Sequence, residues 1–257
     1  MDNWLILVAM EAERQALLGR LETEEVCVHP GLGLVVDVCG RHQRNRIVIC
    51  RSSVGLVSAA ISTIAVAERF ALSGVFLLGV GGALREEYAL GDTVIGETVV
   101  QHDALFMGEE GDELMAPGEL FLSLSPEDRP KPGFTASPTL ISWVRPVLSG
   151  AQLGGQIRIG TIASGSSFVA RPSEKQRLVD RIPSAVLVEM EAAGVALACR
   201  RLNIPFLTIK TVVDRFRPHR TISEDYRQFL STACKKAAVI AEELGRWAPK
   251  NGRDARR

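Results

Sequence analysis

The chain has 257 residues, of which 46% are hydrophobic and 23% are charged, and its formal net charge is zero. This length and composition predict one ordinary globular domain with a sizeable hydrophobic core. The balanced charge argues against nucleic acid or an anionic membrane surface as a partner, because such partners call for an excess of lysine and arginine. The opening segment carries an acid at Asp2 and an apolar run too short to span a bilayer, so a cytoplasmic location is expected.

Five cysteines and four histidines are scattered along the chain. The cysteines are odd in number and nowhere form a C-x-x-C pair, and no two histidines have the i, i+4 spacing that places both on one helix face. We therefore expect neither a disulfide framework nor a metal site.

Short runs of Val, Ile and Leu alternate with longer helical patterns along the chain. This alternation predicts a single α/β domain over residues 1–248, with a central mixed, mainly parallel sheet flanked by helices. The predicted strands are 5–9, 34–38, 47–52, 75–78, 92–99, 158–163, 185–188 and 206–213. The predicted helices are 11–21, 56–71, 138–148, 173–181, 191–202 and 223–247, the last with Ser223 as its N-cap. Residues 106–136 read as one long surface loop, and the basic segment 249–257 as a disordered tail.

Two glutamates one residue apart, Glu189 and Glu191, mark the point where an apolar strand gives way to a helix. Side chains at i and i+2 of an extended segment point to the same side, so both carboxylates could accept hydrogen bonds from the 2'- and 3'-hydroxyls of a ribose. The alternative is a solvated strand end followed by acids that favour the positive N-terminus of a helix. The local sequence alone favours this second interpretation.

Two glycine-rich segments follow predicted strands but lack the residues that nucleotide-binding motifs require. In 79–84, Leu84 stands where the dinucleotide fingerprint needs a small residue, and in 160–167 Ser166 replaces the P-loop lysine. Both segments remain candidates for turns at which the backbone approaches a ligand closely.

Acids follow apolar strands at two further places. Asp214 ends the buried run that begins at Phe206, and desolvation there should raise its pKa enough for it to carry a proton at neutral pH. A simple turn cap is the alternative. Glu11 and Glu13 lie where the first strand enters the first helix, which is a common position for acids without any catalytic role.

Seven short motifs follow one another along residues 5–230. They are Ala9-Met10-Glu11-x-Glu13, Ser53-Val54-Gly55, the glycine turn followed by Gly91-Asp92, His102-Asp103-Ala104, Ser164-Gly165-x-x-Phe168, Val188-Glu189-Met190-Glu191-Ala192 and the strand that ends in Asp214. In this order and spacing they resemble the nucleoside phosphorylase superfamily and, within it, the 5'-methylthioadenosine/S-adenosylhomocysteine nucleosidases.

The resemblance implies hydrolysis of the N-glycosidic bond of an adenine nucleoside by a homodimer that needs no cofactor. It implies that Asp214 protonates N7 of the purine, that Glu13 is the general base for the attacking water, and that Glu191 is a third catalytic acid at the ribose. The other implied substrate contacts are Glu189 and Met190 at the ribose, Phe168 and Val169 at the base, Tyr226 at the 5'-substituent, and Ser164, Gly79, Val80, Lys210 and Met10 around them.

Four positions depart from the nucleosidase pattern: Ser166 replaces an acid, Val80 and Val213 replace serines, and Lys210 replaces an arginine. Lysine retains the charge of arginine but not its planar fork of donors. The two valines remove hydroxyl groups that could bind water, sugar or the neighbouring acid.

Three other functions remain open at this point. A purine nucleoside phosphorylase would need basic residues at the glycine turns to bind phosphate; Arg51 is the sole candidate, and Glu13 would repel the anion. A hydrolase of a larger 5'-substituted nucleoside, such as futalosine or an adenosyl lipid precursor, would need a wider 5' pocket. A catalytically weak nucleoside sensor would explain the four departures, although the three acids are retained.

Overall fold

The structure is a computed structural model that describes residues 2–29, 34–42, 45–109, 111–119, 124–125, 128–151, 153–217 and 222–247. These residues form twelve strands and six helices. The tail predicted at 249–257 lies outside them.

The strands alternate with the helices along the chain, as expected for an α/β protein. The strands are β1 (Asp2–Val8), β2 (Thr23–His29), β3 (Leu34–His42), β4 (Asn45–Arg51), β5 (Leu72–Ala83), β6 (Thr93–Gln101), β7 (Leu105–Gly108), β8 (Gly111–Leu114), β9 (Phe134–Thr135), β10 (Ile157–Ser164), β11 (Ala185–Glu189) and β12 (Phe206–Asp214). The helices are α1 (Glu11–Leu18), α2 (Leu56–Arg69), α3 (Pro138–Gly150), α4 (Pro172–Arg181), α5 (Ala192–Leu202) and α6 (Ile222–Trp247).

Ten strands form one mixed sheet in the order β11-β10-β6-β12-β5-β1-β4-β3-β2, with β9 paired to β6. Parallel pairing joins β4, β1, β5 and β12, and it also joins β6, β10 and β11. The end of β5 pairs in addition with β11, where Gly82 lies opposite Val188 and Ala83 opposite Leu187. This pairing closes β11, β10, β6, β12 and β5 into a ring and sets the glycine-rich end of β5 beside the acidic end of β11.

The central strands are buried, and glycines permit close contacts both between strands and between helices. β1 and β12 are buried along most of their length. Trp4 packs over Gly74, where a Cβ would lie 2.5 Å from the indole ring. Helix α1 packs against α6, and α2 against α5. At the second contact, a Cβ on Gly194 would collide with the carbonyl of Leu56, so α2 begins directly beside the start of α5.

The fold prediction is confirmed: all fourteen predicted strands and helices are present, with bounds that differ by up to five residues. The single loop expected over 106–136 is wrong, because β7 and β8 form a hairpin there and β9 pairs with β6. Strand β2 was not predicted either; its two glutamates disfavour a strand, and pairing with β3 overrides that preference. Helix α6 begins at Ile222, so Ser223 lies inside its first turn and is not its N-cap.

Within the described ranges, no helix is both long and apolar enough to cross a membrane. In the same part of the chain, no three His, Cys, Asp or Glu side chains gather in a way that could hold a metal ion.

Candidate active site

A cavity opens where the ends of β5, β11 and β12 meet the loop after β10, the start of α1 and helix α6. Eleven of the thirteen predicted site residues line it: Met10, Glu13, Val80, Phe168, Val169, Glu189, Met190, Glu191, Lys210, Asp214 and Tyr226. Val54, Gly81, Gly82 and Val213 are among the residues that complete the lining. Residues from distant parts of the chain therefore meet in one place.

The remaining two predicted residues, Ser164 and Gly79, lie behind this lining. The Ser164 hydroxyl accepts a hydrogen bond of 2.9 Å from the backbone N–H of Ala193. Gly79 lies behind Glu13, and a Cβ at this position would come within 2.9 Å of the Glu13 Oε1 atom. Both residues support the wall of the cavity and do not form it.

Glu13 is held by the two residues that precede its own helix. Its Oε2 atom accepts hydrogen bonds from the backbone N–H groups of Ala9, at 3.0 Å, and Met10, at 2.9 Å. The side chain is almost fully buried. Burial raises the pKa of Glu13 to about 7, although Lys210 and the Met10 amide act in the opposite direction. A carboxylate with such a pKa can accept a proton near neutral pH, as a general base must.

The buried Lys210 ammonium joins the two glutamates of the acidic pair. Its Nζ atom lies 2.9 Å from Glu189 Oε2 and 3.1 Å from Glu191 Oε2. Glu189 also accepts hydrogen bonds from the backbone N–H groups of Glu191, at 3.1 Å, and Ala192, at 3.0 Å. Glu191 accepts one of 3.2 Å from the Gly55 N–H at the start of α2. The Glu189 carboxylate is thus bound by two backbone N–H groups at the start of α5 and by Lys210. The Glu191 carboxylate has fewer partners, one backbone N–H group and Lys210.

The two glutamates differ in their tendency to ionise. Burial alone would raise the pKa of Glu189, but Lys210, the Ser164 hydroxyl and the Ala192 amide hold it below its usual value. The pKa of Glu191 is raised, by burial and by the charge of Glu189, against the influence of Lys210. Burial would lower the pKa of Lys210, and the two carboxylates raise it above its usual value, so it stays charged.

Asp214 ends β12 and lines the same cavity. Burial raises the pKa of this carboxyl group, as the sequence predicted, while the neighbouring Lys175 acts to lower it. Sequence reasoning missed Lys175, whose ammonium donates to Asp214 Oδ1. The available signal was a lysine on the same helical stripe as the apolar residues Leu178 and Ile182.

Two aromatic rings form the open edge of the cavity. Phe168 and Tyr226 meet edge to face, with ring centroids 6.4 Å apart, and the Tyr226 hydroxyl lies 3.0 Å from the Met10 sulfur. The loop that carries Phe168 is anchored by Asp103, whose Oδ2 accepts a 2.6 Å hydrogen bond from the backbone N–H of Ser166. The backbone N–H of Ser166 thus helps to hold this loop in place, and the Ser166 side chain adds a further hydrogen bond to Asp103. Phe168 itself is 60% exposed and free to cover a flat ligand.

The cavity offers little to a phosphate ion. Arg51, the candidate phosphate ligand, lies outside the lining and pairs with Glu11 at 3.2 Å. Among the described lining residues the sole basic side chain is Lys210, and it is already paired with two carboxylates. Binding a dianion would require charge-assisted donors that are not already engaged.

Comparison with known proteins agrees with this geometry. The model of the Phosphorylase superfamily matches residues 4–246. A 5'-methylthioadenosine/S-adenosylhomocysteine nucleosidase of Staphylococcus epidermidis is 31% identical over 242 residues, which cover 93% of this chain and 95% of that protein. The Neisseria meningitidis nucleosidase of the same name, solved in complex with methylthio-immucillin-A, has a TM-score of 0.80 at 26% identity and covers 96% of this chain and 99% of its own.

A second solved structure shares the fold. Futalosine hydrolase of Helicobacter pylori has a TM-score of 0.76 at 23% identity, and the match covers 95% of this chain and 97% of that one. The closed mixed sheet and the cavity at its acidic strand ends define an α/β fold of the nucleoside phosphorylase type. The chain belongs to the phosphorylase superfamily.

Proposed function

We propose that this protein hydrolyses the N-glycosidic bond of a 5'-substituted adenine nucleoside of the methylthioadenosine or S-adenosylhomocysteine type and releases adenine. The observation that carries the proposal is the meeting of Glu13, Glu191 and Asp214 in one cavity, each in a different environment. Cleavage of this bond needs one carboxyl group that is protonated and another that is ionised, and separate environments permit both. The names of the similar nucleosidases support the same substrate class.

The reaction breaks the bond between C1' of the ribose and N9 of the base. Asp214 transfers its proton to N7, so that adenine leaves as a neutral molecule with the electrons of the broken bond. Glu13 takes one proton from a water molecule, whose oxygen bonds to C1' as positive charge develops there. Solvent then returns a proton to Asp214 and removes one from Glu13. The sum is nucleoside plus water giving adenine plus the free sugar.

The remaining lining residues fit the parts of such a nucleoside. Glu191, which is less occupied than Glu189, accepts hydrogen bonds from the ribose hydroxyls beside Met190. Phe168 covers the base, and the backbone of Val169 reads its edge. Apolar side chains of Met10 and Val80 with the Tyr226 ring suit a 5'-thioether. Water is the nucleophile because no uncommitted cation lines the described part of the cavity and the Glu13 carboxylate would repel phosphate.

Product analysis tests this proposal. The protein is incubated with methylthioadenosine, S-adenosylhomocysteine, adenosine, inosine and futalosine, with and without phosphate, and the products are separated by chromatography and weighed by mass spectrometry. We expect adenine and an unphosphorylated sugar from the first two nucleosides, at rates that do not depend on phosphate. A sugar 1-phosphate that forms only with phosphate would indicate a phosphorylase. A preference for futalosine would indicate a hydrolase with a larger 5' pocket. Binding of a nucleoside without any product would indicate a sensor.

The proposal includes a homodimer whose interface borders the cavity. Val57, Ile61 and Ile64 form an apolar stripe on the surface of α2 and are 71%, 44% and 40% exposed. The stripe continues to Val54, which is 51% exposed and also lines the cavity. A contiguous apolar patch of this kind marks a protein interface more often than a free surface.

Light scattering after size exclusion tests the dimer. Val57→Glu combined with Ile61→Glu places two charges in the stripe and should convert a dimer into a monomer. Leu202→Glu, at an exposed apolar residue of α5, is the matched control and should leave the dimer intact. A wild-type protein that elutes as a monomer at all concentrations would contradict the dimer.

A cytoplasmic location is part of the same proposal. Cys50, Cys199 and Cys234 are free thiols, which suits a reducing compartment. Fractionation of cells that express the protein tests this, and recovery outside the cytoplasm would contradict it.

A further inference from the structure

A fully buried lysine lies outside the cavity wall. Lys175, on α4, has no exposed surface, although the rest of this helix is largely polar. It shares a helix face with Leu178 and Ile182, which pack into a small hydrophobic cluster. Burying an ammonium group among apolar side chains costs several kcal/mol unless it is paired and hydrogen-bonded. The hydrogen-bond partners of Lys175 therefore indicate what compensates for burial of its charge.

Both partners lie at the end of β12. The Lys175 ammonium donates one hydrogen bond to Asp214 Oδ1 and another, of 2.7 Å, to the backbone carbonyl of Arg215. Lys175 does not line the cavity, so it has no direct access to a bound ligand. Of its two partners only Asp214 lines the cavity, so Asp214 is the direct route by which this lysine can affect a reaction.

The Asp214 carboxylate is held from a second side as well. The backbone of Gly82 lies so close that a Cβ there would be 2.7 Å from either carboxylate oxygen. The carboxylate therefore sits between the strand backbone and the lysine, and its position is fixed before any ligand arrives.

We propose that Lys175 is a positioning residue for the proton donor: it holds the Oδ1 atom of Asp214 from behind the cavity wall and leaves Oδ2 to face purine N7. This inference rests on the proposed function, in which Asp214 protonates the leaving base. A donor fixed in this way needs no reorientation at the moment of proton transfer, which is the advantage of a preorganised site.

The charges around Asp214 predict how it responds to loss of the lysine. Lys175 faces it from α4 and Asp225 from α6, and Asp225 is itself paired with Arg215 at 3.1 Å. Burial and the Asp225 charge raise the pKa of Asp214, and Lys175 opposes them. Without Lys175 the pKa of Asp214 rises further, and its carboxyl group is free to turn away from the base.

The test compares Lys175→Met with the wild type by the pH dependence of kcat and kcat/KM for methylthioadenosine hydrolysis. We expect kcat to fall at least about tenfold while KM changes less than about threefold, because the contact is made with the proton donor and not with the substrate. The limb of the pH profile that reports Asp214 should move to higher pH by about one unit or more, and the limb that reports Glu13 should stay in place.

Lys236→Met is the matched control, because Lys236 is a buried lysine that donates to the carbonyls of Gly91 and Gly154, away from the cavity. It should lower stability and leave kcat and the pH profile unchanged. If Lys175→Met does not fold, Lys175→Gln takes its place; the neutral amide should give the same shift with a smaller loss of kcat.

A folded Lys175 variant with wild-type kcat and an unmoved pH profile would overturn the role of Lys175 alone. A control variant that reproduces the shift would do the same, because the effect would then be general to buried lysines. A wild-type protein that releases no adenine would instead contradict the proposed function, and the role of Lys175 would fall with it.

Discussion

The backbone of Gly82 lies directly against the carboxylate of Asp214, so that a Cβ at position 82 would be 2.7 Å from both carboxylate oxygens. Gly82 is also the residue at which β5 pairs with Val188 of β11. Gly82 thus takes part in the pairing that closes the ring of strands, and it also limits where the carboxylate of the proposed proton donor can lie.

Gly82→Ala should displace Asp214 and reduce turnover. The new methyl group would lie 2.7 Å from both Asp214 carboxylate oxygens, a distance that real Cβ contacts do not show, so the carboxylate has to move. We expect kcat to fall about 100-fold, as misplacement of about 1 Å can cause. Gly150→Ala, at the end of α3 with no atom within 4 Å of the new Cβ, is the control and should retain wild-type kcat. Full activity of Gly82→Ala would show that the position of Asp214 does not limit the reaction.

Glu13→Gln should change how stability depends on pH. The pKa of Glu13 is raised by burial to about 7 in the folded protein, above its ordinary value of 4.5. Between these values the folded state binds more protons than the unfolded state, so the free energy of unfolding falls as pH rises through this window, by about 3 kcal/mol.

Urea unfolding at several pH values between about 5 and 8 measures this fall. Glu13→Gln should reduce the measured fall by about 3 kcal/mol, whereas Glu11→Gln, at a more exposed acid of the same turn, should keep the whole of it. The same fall in Glu13→Gln as in the wild type would mean that Glu13 is not the residue responsible.

Lys210→Met should destabilise the fold. It leaves the buried carboxylates of Glu189 and Glu191 without their shared cation, and uncompensated buried charge costs about 3–5 kcal/mol. The loss of unfolding free energy should be smaller at acidic pH, where the two carboxyl groups can become neutral. Chemical denaturation measures it, with Lys235→Met on the exposed face of α6 as a control that stays within about 0.5 kcal/mol of wild type. Equal stability of both variants would refute the importance of this cluster.

Phe168→Ala should weaken substrate binding more than it slows the chemical step. Stacking of a base on an aromatic ring contributes about 1–3 kcal/mol, so KM for methylthioadenosine should rise by about 5- to 150-fold with little change in kcat. Phe168→Tyr keeps the ring and should keep KM close to the wild-type value. An unchanged KM in the alanine variant would place the base elsewhere in the cavity.

The acids of the site could be predicted from the sequence because each follows an apolar run. Taken alone, the local sequence favoured ordinary helix-start or turn-cap roles for Glu13, Glu189 and Asp214, and it was the resemblance carried by the seven motifs that implied a single site. The interpretation of Glu189 and Glu191 was only partly correct. Glu191 has φ −126° and ψ −34°, which is not extended, and Glu189 bonds to the start of α5. The helix-start alternative therefore describes the hydrogen bonds of Glu189 but not its surroundings, because the side chain is buried and not solvated.

The sequence could not predict the contact between Lys175 and Asp214 or the pairing of β5 with β11. Nothing local to Lys175 says which strand α4 covers, and the pairing of β5 with β11 depends on residues about one hundred positions apart. The hairpin of β7 and β8 was missed for a different reason, since strands of four residues are too short to display alternation.

We propose that Asp214 and Glu13 act as acid and base in one hydrolytic site. The most direct test measures adenine release from saturating methylthioadenosine, without phosphate, by the wild type, Asp214→Asn and Glu13→Gln in parallel, with substrate binding measured by calorimetry. We expect the wild type to release adenine rapidly. Each variant should bind the nucleoside but release adenine about 10²- to 10⁴-fold more slowly. A variant that binds the nucleoside and releases adenine within threefold of the wild-type rate would contradict it.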